Sequence, residues 1–138
     1  MKGMHHDSLP DLPKTGHATI DTQHQEVFEL VSLLDKALYV DTHYNIRLII
    51  EFLEKYVEEH FLEEETYMLT KVYQGYSQHK IDHDVFKSRV FSLRHDFDEG
   101  MSDSRLFFAI RLFIDKLMYH IRTEDAGIAQ LVEEDARV

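Results

Sequence analysis

Seven residues stand out by type and position as possible metal ligands: His24, His60, Glu64, His79, His83, His120 and Asp125. His60 and Glu64 are four positions apart, as are His79 and His83. On a helix each pair therefore projects from one face about one turn apart and can aim two donor atoms at a common point. His120 and Asp125 are five apart, which rotates a regular helix about 140° past a full turn. Either a helix ends near Asp125, or it widens there into an i+5 turn, a feature found at functional sites.

Imidazole and carboxylate donors without thiolate suit iron, manganese or zinc. Seven donors exceed what one ion takes, so two ions are expected. If Glu64 and Asp125 both bridge them together with one solvent-derived oxygen, about eleven of the roughly twelve positions on two octahedral ions are filled. The open position falls on the ion with two histidines rather than three, and it predicts a single site for an incoming ligand.

The elements that must carry these donors are helices. Ile20, His24, Val27, Phe28, Val31, Leu34 and Leu38 follow the 3.6-residue period, predicting a helix near 19–39. Val40-Asp41-Thr42 is a connector whose Asp41 or Thr42 is suited to cap the next helix. A second stripe (Ile46, Ile49, Leu53, Tyr56, Val57, His60, Phe61, Glu64, Tyr67, Met68) predicts a helix near 43–71. After a turn at Tyr73–Ser77, residues from His79 to Phe97 give a third helix near 77–98. Leu106 to Ile121 give a fourth near 103–123, with a short tail behind it. Both prolines, Pro10 and Pro13, lie in the first segment. The expected architecture is all-α: an up-down-up-down antiparallel four-helix bundle at 19–128, with an N-terminal arm at 1–18 and a C-terminal tail at 129–138. Every candidate ligand falls on or next to an apolar stripe of this bundle, where an unpaired carboxylate is costly.

The totals narrow the function. The chain has 138 residues, enough for one domain with a real core, and its 43% hydrophobic and 30% charged residues are ordinary for a globular protein. A net charge of -11 argues against nucleic acid and anionic membranes as partners. With no cysteine there are no disulfides, iron–sulfur clusters or thiol nucleophiles. No stretch approaches the roughly 20 apolar residues of a membrane span, and the first residues show no signal-peptide core. The expected location is cytoplasmic.

The donors and their spacing resemble the hemerythrins, specifically bacterial hemerythrin-like domains. The matching segments are Ile20-Asp21-Thr22-Gln23-His24, His60-Phe61-Leu62-Glu63-Glu64, His79-Lys80-Ile81-Asp82-His83-Asp84 and His120-Ile121-Arg122-Thr123-Glu124-Asp125, together with Met68 and the tyrosine-bearing turn before His79. The resemblance spans about residues 18–128 and is complete at all seven positions. It implies one iron on His79, His83 and His120 and a second on His24 and His60. Glu64, Asp125 and an oxo or hydroxo group would bridge them. Dioxygen would bind reversibly at the two-histidine iron, and Phe61 and Leu117 match residues lining the family's oxygen pocket. Two positions depart from the pattern: Lys116 stands where a Trp is common, and Thr15-Gly16-His17-Ala18-Thr19 replaces an aromatic lead-in.

The expected function is therefore reversible oxygen binding for carriage, storage or sensing, without enzyme activity. The alternatives are a di-iron oxidase or peroxidase, or a signalling module for oxygen, iron or nitric oxide. The chain has no Glu-x-x-His motif, the signature of carboxylate-rich di-iron proteins. His5, His6, His17, His43 and His95 receive no role. Glu63 and Glu65 are expected to be surface charges, and Glu133-Glu134-Asp135 a solvated tail.

Overall fold

The computed structural model describes residues 14–37, 39–124 and 126–136. Leu38 and Asp125, like His5, His6 and both prolines, lie outside the described residues. The fold is four long helices, α1 (Ala18–Ala37), α2 (Thr42–Thr70), α3 (Tyr76–Asp98) and α4 (Asp103–Thr123), followed by a short α5 (Ala126–Ala136). α2 packs on α1 and α3, and α4 packs on α1 and α3, closing the four into a bundle. Among the described residues, no helix is long and apolar enough to cross a membrane.

Local chemistry sets the helix ends. Before α1, the Asp21 carboxylate accepts from Thr15 N (2.7 Å), Thr15 Oγ1 (2.8 Å) and Gly16 N (2.9 Å), satisfying backbone donors ahead of the first turn. The end of the expected arm is thus tied down, and Thr15 is buried. Asp41 holds the N-cap position of α2, but its side chain makes no capping bond, so the expected cap is not formed. α2 ends in a turn where Tyr73 N donates back to Met68 O (2.9 Å) around Val72, whose φ is 56°. Gly100 (φ 89°) ends α3 in the same left-handed conformation, for which glycine is the least strained residue. Ser102 Oγ then accepts from Arg105 N at 3.4 Å to start α4. α4 ends at Thr123, with Glu124 as its C-cap, so a helix end falls close to Asp125.

One cluster of buried side chains, including Leu34, Ile46, Ile49, Leu53, Ile110 and Ile114, fills the bundle. Each such side chain contributes about 1.5–3 kcal/mol on burial. A second, smaller cluster is built on Ile20, Met68 and Ile128, with Tyr73 and Val132 packed on it. It exists because Ala126–Ala136, which spans the end of the expected bundle and most of the expected tail at 129–138, forms α5. The acidic end is tied as well: Asp135 pairs with Lys71 Nζ at 2.7 Å and accepts from Tyr67 Oη at 3.3 Å.

The Tyr73 ring lies against both Gly75 and Gly127, and a Cβ on Gly127 would collide with the Tyr73 hydroxyl. Helix propensity alone would make Gly127→Ala stabilising by up to about 1 kcal/mol. Overpacking typically costs about 1–3 kcal/mol, and Gly75 on the ring's other side restricts its escape. The expected result is therefore a net loss of about 1 kcal/mol or more, read as a lower urea midpoint. An increased midpoint would show that the ring swings clear.

Candidate metal centre

The four long helices each send imidazole to one level of the bundle. α1 supplies His24, α2 supplies His60 and Glu64, α3 supplies His79 and His83, and α4 supplies His120. All six are at most 5% exposed, and Glu64 and His83 are fully buried. The i,i+4 pairs act as their spacing anticipates: His60 and Glu64 face one point, as do His79 and His83.

Glu64 is the hub. Its Oε2 lies 2.9 Å from His24 Nε2 and 2.7 Å from His60 Nε2. Its Oε1 lies 3.2 Å from His79 Nε2 and 3.1 Å from His83 Nε2. Two donor groups result, His24–His60–Glu64 and Glu64–His79–His83–His120, and within each the donor atoms lie within 4.8 Å of one another. The carboxylate belongs to both. Burial pushes the Glu64 pKa upward, but the charge of His60 and hydrogen bonds from His24, His60 and His79 outweigh it. They hold the carboxyl well below its usual range.

The outer nitrogens bear on whether this donor set fits metal ions. His60 Nδ1 lies 2.6 Å from Gln23 Oε1, an atom that can only accept. The ring therefore donates there, and its Nε2 meets a second acceptor in Glu64. His83 also donates from Nδ1, to Glu65 Oε2 at 2.7 Å, while its buried Nε2 lies 3.1 Å from Glu64 Oε1 without a hydrogen bond. A ring held between two acceptors needs a proton on both nitrogens, or a cation between Nε2 and the carboxylate. Burying several imidazolium ions is costly, and metal ions remove that cost. The donors fit.

Glu65 corrects the sequence reading. Expected as a surface charge, it is 6% exposed and bonded to His83. The signal was present: Glu65 is four residues after Phe61 and three before Met68, on the apolar stripe itself. Gln23 and Asp82 were also missed; Asp82 Oδ2 lies 3.9 Å from His120 Nδ1. Glu63 behaves as expected, half-exposed and 3.9 Å from His17 Nε2.

Aromatic rings enclose the donors. Phe61 stacks on His83 with ring centres 3.8 Å apart and planes 2° apart, and Tyr56 stacks on His60 at 4.6 Å. Leu117 is fully buried in the bundle core. A cavity of about 620 Å³ bordered by Gln23, Phe52, Lys55, Tyr56 and Glu59 reaches His60 from outside. Lys116 is exposed and lines a separate cleft of about 250 Å³ with Phe86, Tyr119 and His120.

Fold and site together define a helical-bundle protein with a buried histidine–carboxylate cluster that fits a metal site. The model of the hemerythrin HHE cation binding domain matches residues 15–132. A bacteriohemerythrin of Pseudomonas paraeruginosa is 35% identical over 121 residues, covering 86% of this chain and 76% of that protein. One of Clostridium acetobutylicum is 37% identical over 87 residues, covering 58% and 67%. A hemerythrin of Sipunculus nudus is 32% identical over 113 residues, covering 82% of each. No solved structure gives a significant match. The chain belongs to the hemerythrin family.

Proposed function

We propose that this chain holds two iron ions and binds dioxygen reversibly through them, serving carriage, storage or sensing. The observation that carries the reading is the Glu64 carboxylate, whose two oxygens each face a separate histidine group. In this reading His79, His83 and His120 hold one ion, His24 and His60 hold the other, and Glu64 bridges. By the family resemblance Asp125 would be the second bridge; it lies outside the described residues. When bound, two ferrous ions would supply the two electrons that reversible oxygen uptake requires, one from each ion.

The protein's own residues favour release over cleavage. Five imidazoles and only two carboxylates make a donor set poor in acids, unlike the carboxylate-rich centres of di-iron oxidases. Phe61 and Leu117, both buried, keep the centre apolar and exclude water. Nitric oxide and small anions are further candidates for the open position, and the cytoplasm is the proposed location.

Loading the purified chain anaerobically with ferrous iron, then alternating oxygen and argon, tests the reading. Two irons per chain and visible charge-transfer bands that rise and fall with each cycle are expected. A single irreversible oxidation coupled to turnover of a reducing substrate would assign an oxidase or peroxidase instead.

A further inference from the structure

The groups behind His60 and His83, one ring from each donor cluster, differ in charge. His60 donates from Nδ1 to the neutral amide oxygen of Gln23 at 2.6 Å, whereas His83 donates to the Glu65 carboxylate at 2.7 Å. A second acid, Asp82, stands 3.9 Å from His120 in the same cluster as His83. Hydrogen bonding at one ring nitrogen fixes which tautomer is present and turns the other nitrogen toward the metal. A carboxylate partner also raises the basicity of that donor nitrogen. An amide orients the ring without adding charge.

We propose that Gln23 and Glu65 are positioning residues that make the two metal positions unequal: both fix their histidine with Nε2 as donor, but only Glu65 strengthens it. The inference rests on the two-metal reading. The three-histidine position thereby binds a cation more tightly and favours its more oxidised state. The two-histidine position is left the weaker and more readily reduced. Glu65 suits this task because it is buried beside fully buried His83, where a charge acts with little screening. Gln23 borders the cavity that reaches His60.

The test is titration of the metal-free full chain with Co2+ alone, followed by calorimetry and the cobalt d–d spectrum. The native chain is expected to take up two ions in two resolved steps. Glu65→Gln is expected to weaken the tighter step about 10–100-fold, leaving the other in place. Gln23→Glu keeps the hydrogen bond to His60 and is expected to tighten the weaker step, drawing the two steps together. Substitutions that move both steps equally, or neither, would overturn the inference while leaving the two-metal reading intact. A single Co2+ per native chain would sink that reading and the inference with it. A measurement independent of any variant is nitrogen-15 NMR of the native chain with Zn2+. Protons on Nδ1 of both His60 and His83 are expected, and a proton on Nε2 of either ring overturns the assignment.

Discussion

Glu64→Gln is expected to empty the centre: a chain that takes up two irons will keep at most one, weakly held, by elemental analysis after gel filtration. The carboxylate is the sole group among the described residues shared by both donor clusters. Gln matches it in shape but presents one oxygen and one NH2. Whichever cluster meets the NH2 loses an oxygen lone pair that its metal needs, and the charge that offsets two cations is lost. Uptake of two tightly bound irons by this variant would show that Glu64 does not bridge.

The same substitution has a signature without metal. Removing one partner of a buried ion pair typically costs about 3–5 kcal/mol. The sign with pH follows from linkage. The folded-state pKa of Glu64 is lowered well below the usual 4.5, so its carboxylate contributes its full stabilisation above that value. The contribution is lost as pH falls below 4.5 toward the folded pKa. The metal-free native chain should therefore lose stability in acid more steeply than Glu64→Gln, with the two denaturation midpoints converging as pH falls.

Much of this centre was legible because helical spacing is rigid. Once His60 and Glu64 sit four apart on an apolar stripe, no regular helix can send them to different faces. His120 likewise identified itself by falling where Leu117 and Ile121 require burial. The rest was hidden for identifiable reasons. Glu65 reads as solvated because a charged residue beside a ligand is usually on the surface, although its spacing from Phe61 and Met68 places it inside. Gln23 carries no charge to mark it, and its bond to His60 crosses from α1 to α2, a pairing that local spacing does not reveal. α5 is short and ends in acids, so its period was weak. Its fixed position comes from Ile128 meeting Ile20 and Met68, a tertiary contact. Asp41 shows the opposite case, a residue with capping chemistry that occupies the cap position and forms no cap.

Phe61→Ala is expected to lower stability by about 3–5 kcal/mol, a large share of the roughly 5–15 kcal/mol that holds a domain together. Phe61 is 1% exposed and stands between the two donor clusters. Its ring is stacked on His83 at 3.8 Å and lies 6.0 Å from the ring of His60, 5.7 Å from Tyr56 and 6.1 Å from Phe86. Few of these neighbours can collapse into the space, because His60 and His83 are held from behind by Gln23 and Glu65. The void would therefore persist beside the histidines, and polar rings on its wall would admit water. Two consequences separate. Phe61→Leu refills much of the volume and should cost under about 1.5 kcal/mol, so denaturant midpoints rank the native chain, Leu and Ala in that order. In the iron-loaded protein the oxygenated colour should bleach fastest in Ala, because water and protons reach the centre. A normal bleaching rate despite the stability loss would leave Phe61 a packing residue and remove it from the oxygen pocket.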